Sequence, residues 1–178
     1  GGARKHWLAA CELGTGRYET LTRAAKHYEA PDQAFVAKLL YDQVDVSNVA
    51  PRSECLFMDE GLHSYRLLCE MVLFYASRKD YSRAIETLDT LLRRHETIGT
   101  EWLAPTLHNV WFLSLTTEVP PSFPHLAMDL ADRLVRCGVG YAELPGVFAH
   151  FAAKARTVAE AHHNDTISLR GSAPLLIT

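Results

Sequence analysis

The segment from His63 to Trp102, HSYRLLCEMVLFYASRKDYSRAIETLDTLLRRHETIGTEW, leaves the chain the fewest options. In its first half Tyr65, Leu68, Cys69, Val72, Tyr75 and Ala76 recur at the i, i+3, i+4, i+7 spacing of one helix face, and Leu67, Met71 and Phe74 form a second apolar stripe. A helix apolar on two sides has to lie between neighbours. The second half, from about Tyr81 to Arg94, has one stripe only: Tyr81, Ala84, Ile85, Leu88, Leu91 and Leu92. It turns Arg83, Glu86, Asp89 and Arg93 to water, with Asp89 and Arg93 spaced to pair at i, i+4. An inner helix coupled by a short polar turn to an outer one cannot bury its faces alone, so further pairs have to stack on it.

The rest of the chain supplies such pairs. Residues 6–13 and Arg17 to Tyr28 form a first pair broken at Gly14-Thr15-Gly16, with Trp7, Leu8 and Cys11 on one face, and Pro31 ends the unit. Asp32 is the expected N-cap of a helix to Gln43, to which Phe35, Leu39 and Tyr41 lend apolar bulk. A loop over Val46 to Ala50 precedes a helix that Pro51 opens and Gly61 closes in a left-handed turn, with Cys55 to Met58 as its buried part. The inner–outer pattern recurs as Leu107 to Leu115 and His125 to Arg136, at a spacing wider than the usual ~34 residues. The excess falls at Thr116 to Pro124, where Pro120, Pro121 and Pro124 oppose helix. A last helix from Leu144 to His162 caps the stack. Periodicity thus predicts an all-α fold in two parts, a helical-repeat domain over residues 1–162 and an extended C-terminal tail over 163–178.

The stretch Asp80-Tyr81-Ser82-Arg83-Ala84-Ile85-Glu86 resembles the second-helix start of tetratricopeptide and pentatricopeptide repeats, and Gly16-Arg17-Tyr18-Glu19-Thr20-Leu21 is similar. The long inner helix, the polar turn and the Cys137-Gly138-Val139-Gly140 link look more like the pentatricopeptide variety. The likeness covers most of residues 5–162. It implies a right-handed stack of antiparallel helix pairs, an α-solenoid, with an organellar setting on the matrix side of the mitochondrion. Many pentatricopeptide proteins bind single-stranded RNA through a polar residue near the start of each inner helix. Here Arg66 and, by looser alignment, Val36, His108 and Pro145 stand at those places, and they make no base-reading code. Other members are architectural subunits of mitochondrial complexes. The chain resembles in size, charge and degenerate repeats the accessory subunits that bind the α subunit on the F1 head of the ATP synthase of euglenozoan protists. The resemblance therefore implies a noncatalytic accessory subunit with protein partners in a larger mitochondrial assembly, the ATP synthase α subunit among them. The alternative it implies is an organellar RNA-binding protein or ribonucleoprotein component.

Composition agrees with a protein-binding scaffold. Eighteen basic and 21 acidic side chains leave a formal charge of -3, without the basic excess of a general nucleic-acid binder. Charges interrupt every apolar stretch before the ~20 residues that span a bilayer, which predicts no membrane insertion. Cys11, Cys55, Cys69 and Cys137 lack paired C-x-x-C spacing and sit in apolar helical contexts, so buried reduced thiols are expected. His162-His163, the adjacent histidine pair, has no carboxylate at i+4 spacing to complete a metal site, and Gly14-Thr15-Gly16 lacks the further residues of a phosphate loop. Arg78-Lys79 and Arg93-Arg94-His95 are the basic clusters, explained by a solvated turn and a helix C-terminus. No enzyme, cofactor or metal is expected. The residues expected to meet a partner are Arg83, Glu86 and Asp89 on the outer helix and Ile167, Leu169, Leu175, Leu176 and Ile177 in the tail, whose apolar side chains lack another home.

Overall fold

The computed structural model describes residues 18–49 and 61–171. Expectations for residues 6–13, 51–60 and 172–178, and for Cys11 and Cys55, lie outside the described residues. Within them the chain is all-helical: α1 (Tyr18–His27), α2 (Ala34–Tyr41), α3 (Leu67–Ser77), α4 (Tyr81–Leu92), α5 (Thr100–Thr116), α6 (Phe123–Arg136) and α7 (Leu144–Gly171). Single 3-10 turns occur at Val46–Asn48 and His95–Thr97, and a π turn at Leu62–Arg66 leads into α3. Each helix packs on the one that follows it in α1–α2, α3–α4, α4–α5, α5–α6 and α6–α7, while α3 also meets α5 and α4 meets α6.

The two-sided helix is where its pattern puts it. Leu67, Leu68, Cys69, Met71, Val72, Phe74 and Tyr75 of α3 are all buried, so both stripes face neighbours. In α4 only Ala84, Thr87, Leu88, Leu91 and Leu92 are buried, the single stripe of an outer helix. Asp80 caps α4 by accepting from the Arg83 backbone N–H at 3.4 Å, and the Asp89–Arg93 pair forms at 2.7 Å. Leu103, Leu107, Val110 and Leu113 of α5 and Leu130, Ala131 and Leu134 of α6 continue the core, which Val147 and Phe151 of α7 close. Each fully buried leucine in it contributes about 1.5–3 kcal/mol relative to exposure.

Several boundaries differ from those read off the sequence. Helix α5 starts at Thr100, ahead of the expected Leu107, and carries Pro105 inside it. Pro105 lacks the N–H that would reach the Glu101 carbonyl, and its exposed position on the second turn leaves that carbonyl open to water. Pro124 does not oppose helix either. It lies in the first turn of α6, where a backbone N–H has no partner in any case. Gly61 is helical at φ -61°, not in the left-handed conformation expected of it, and leads into the π turn. Asp32 sits one residue before the cap position of α2, which Gln33 fills without a side-chain bond. Of the bulk expected of α2, Tyr41 is buried, but Phe35 and Leu39 face outwards. The last helix continues past His162 to Gly171, so residues 163–171 are not extended.

Two helix ends close in the same way with different residues. At the end of α6 Gly138 adopts φ +67°, its N–H reaches the Val135 carbonyl and the Val139 N–H reaches Leu134 at 3.1 Å. At the end of α3 Lys79 adopts φ +60°, its N–H reaches Ala76 and the Asp80 N–H reaches Tyr75 at 3.0 Å. The second is a left-handed helix stop made without glycine.

Arginines join each pair to what precedes it. Arg78, after α3, donates to the Glu29 carbonyl beyond α1 at 2.6 Å. Arg94, after α4, donates to the Val49 carbonyl and to that of Ser47 at 2.7 Å. Arg133, on α6, donates to the His95 carbonyl at 2.5 Å. The Glu29 and Val49 acceptors follow helix ends and turns, where carbonyls lack partners within their own helix, while the His95 carbonyl also accepts from the Ile98 N–H at 3.2 Å.

Candidate protein-interaction surfaces

The outer face of α4 holds Arg83 and Glu86 side by side, with their charges satisfied by one another at 3.1 Å. Asp89 is not part of that face in the same sense. It takes two bonds from the Arg93 guanidinium and accepts from the Ser122 hydroxyl at 3.4 Å, which turns it towards the α5–α6 connection. Hydrogen bonding to Glu86 holds the Arg83 guanidinium more firmly protonated than usual. A partner here would have to replace bonds that already exist. Ile167 and Leu169 fall on the last turns of α7, beyond the side chains described, and Leu175, Leu176 and Ile177 lie outside the described residues.

Helix α5 presents a different kind of surface. Glu101, Pro105, His108, Phe112 and Leu115 follow one another along its exposed stripe, with Phe112 43% and Leu115 60% exposed. Leu73 of α3 is exposed as well, and the facing turns of α7 show Ala149, Ala152 and Ala153 to solvent. Sequence reading missed Phe112 and Leu115 as surface residues because the segment Leu107 to Leu115 was read only as an inner helix. The signal available was the helical register: Leu107, Val110 and Leu113 define the buried face, and Phe112 and Leu115 fall off it.

The residues aligned with base-reading positions do not gather into one surface of like chemistry. Arg66 and Val36 are half-buried, Pro145 is exposed, and His108 shares a 3.1 Å hydrogen bond with the Tyr141 hydroxyl. The basic clusters are also engaged: Arg93 on Asp89, Arg94 and Arg78 on backbone carbonyls, and His95 on the Leu92 carbonyl at 3.1 Å. Thus Arg93-Arg94-His95 is a joint in the fold.

One serine–histidine contact resembles catalytic machinery and differs from it in proton direction. The Ser114 hydroxyl donates to the Trp111 carbonyl at 2.7 Å, so the 2.8 Å contact with His150 Nε2 has histidine as donor. A general base would need the opposite arrangement. Burial and the nearby Lys154 charge lower the pKa of His150, and Lys154 itself donates to the Ser114 carbonyl at 2.8 Å. Together these groups tie α7 to α5. Cys69 is buried as expected and its thiol is pushed up to about 12 by burial, whereas Cys137, also expected inside, is exposed at the C-terminal cap of α6. Among the described residues there is no cluster of three or more metal-ligating side chains, and no helix is long and apolar enough to cross a membrane.

Among the described residues these elements make an all-helical protein. No protein-family model matches the sequence, and no match is found among curated proteins or among solved structures.

Proposed function

We propose that the chain is a noncatalytic helical-repeat subunit, an α-solenoid of the pentatricopeptide and tetratricopeptide kind, that takes its place in a mitochondrial assembly through protein–protein contacts, on the F1 head of ATP synthase. The observation that carries the protein-binding part is the division of the surface. Arginine side chains are spent on backbone carbonyls of earlier turns, while large apolar side chains stand exposed on α2, α3, α5 and α6. The packing of α3 on α5 and of α4 on α6 supports the solenoid, because each repeat then meets only its neighbours. The sequence resemblance supports the mitochondrial setting and the ATP synthase α subunit as partner.

The test is purification of the tagged endogenous chain at physiological salt, with identification of what elutes with it. Co-elution with the F1 α subunit is the expected result, and a free monomer overturns the proposal. The RNA alternative is met by titration with single-stranded oligonucleotides. Micromolar or tighter binding that weakens steeply with salt would replace the protein reading.

A further inference from the structure

Helices α2 and α3 leave an open groove of about 250 Å3 between them, lined by Ala34, Phe35, Lys38, Phe74, Tyr75, Arg78 and Asp80. It lies below the ~300–1,000 Å3 of a typical small-molecule pocket and suits a single large side chain. One wall is the Phe35 ring, 71% exposed, and Leu39 continues the apolar stripe one turn along α2. The floor is Phe74 and Tyr75, which are buried among their own neighbours with ring centroids 5.5 Å apart.

The charges around this groove are unequal in availability. Its carboxylates are occupied: Asp42 accepts from Lys38 at 2.9 Å and from the Tyr75 hydroxyl at 2.8 Å, and Asp80 caps α4 and meets Lys38 at 3.5 Å. The cations at the far rim are not neutralised in this way. The Arg78 guanidinium lies 5.8 Å from the Phe74 ring centroid and bonds a carbonyl, and among the described residues Lys79 has no carboxylate partner. The left-handed turn at Lys79 places it on the exposed corner between α3 and α4. An apolar slot with a cationic lip calls for an apolar side chain with carboxylates beside it.

We infer that this groove docks an acidic segment of a partner protein, which inserts one large apolar side chain beside Phe35 and sets its carboxylates against Arg78 and Lys79. A nucleic-acid strand fits less well. Stacking of successive bases needs several exposed rings, and here Phe35 is exposed while Phe74 and Tyr75 are not. The inference rests on the protein-binding reading above and gives that surface a partner chemistry.

The probe is a fluorescein-labelled peptide with phenylalanine between glutamates, titrated by fluorescence polarisation into the full chain. Saturable micromolar binding that weakens with salt is expected. Phe35→Ser and, separately, Lys79→Glu are each expected to weaken it by about tenfold or more, as is replacing the peptide's phenylalanine by alanine or its glutamates by glutamines. Both protein substitutions are at exposed positions, and an unchanged thermal melt verifies the fold. Absence of binding at low salt, or binding indifferent to Phe35→Ser, overturns the inference. Tight binding of a single-stranded oligonucleotide that Phe35→Ser abolishes would also overturn it. If the peptide fails while the endogenous chain still elutes with an assembly, the docking inference alone falls. A bound peptide with a free endogenous monomer instead sinks the assembly reading and leaves this one.

Discussion

Lys79 shows how a single residue can be held against its own preference. A non-glycine residue at φ +60° loses about 1–2 kcal/mol to contact between its Cβ and the backbone, and α6 ends in the same geometry on Gly138 without that cost. Lys79→Gly is therefore expected to raise stability by about 1 kcal/mol in urea unfolding, less whatever glycine adds to unfolded-chain entropy. Asp42 sets an acid limit in a different way. Burial pushes its carboxyl upward, but hydrogen bonds from Lys38 and Tyr75 outweigh burial and hold it below the ordinary 3.8. Because the folded value lies below the unfolded one, this stabilisation is present above that range and is lost as pH falls through the folded value. Asp42→Asn should lower the melting temperature near neutral pH, and the deficit should close in strong acid. Neither residue could have been singled out from sequence. Lys79 reads as a solvated turn, and Asp42 finds its partner Tyr75 only once α2 lies against α3.

At the scale of elements, what was legible is periodic and what was not depends on neighbours. Helices α3 and α4 follow from residue spacing alone, and so does the Asp89–Arg93 pair, because both partners lie on one helix. Proline interrupts helix less here than its chemistry alone suggests. Pro105 is inside α5 and Pro124 inside the first turn of α6, since the packing of Leu103, Thr106 and Leu107 holds the helix through the defect. Pro105→Ala restores the missing bond at an exposed position and is expected to stabilise by about 1–3 kcal/mol, read from thermal or denaturant midpoints. Entry into α5 depends on Gly99. A Cβ there would strike the Tyr65 hydroxyl and approach the Glu101 carboxylate at 2.7 Å, the two groups whose 3.1 Å hydrogen bond links the start of α3 to the start of α5. Gly99→Ala should cost about 1 kcal/mol or more through that bond, and Tyr65→Phe in the Gly99→Ala background should add little.

For the whole molecule, sequence pattern gave the helical class and the inner–outer alternation, but it placed the partner surface by exposure of charge. The described charges on α4 turn out to be mutually satisfied, and exposed large apolar side chains lie on α2, α3, α5 and α6 instead. Phe112 and Leu115 lie in a segment read only as an inner helix, and which of its apolar residues reach solvent follows from the register of Leu107, Val110 and Leu113. Phe112→Ser with Leu115→Ser is expected to lower folding stability by about 1–2 kcal/mol, since Phe112 is still more than half covered and Leu115 partly so. Capture of the native partner should weaken in the same variant, and undiminished capture would remove α5 from the contact. The arginine joints carry a consequence for substitution. Arg78, Arg94 and Arg133 fasten later helices to earlier turns through their guanidinium groups. Their acceptors are backbone carbonyls, which do not titrate at all. A joint whose acceptor belongs to the main chain survives replacement of the side chain on the acceptor's side, so these contacts tolerate change at Glu29, Ser47, Val49 and His95 better than at the three arginines.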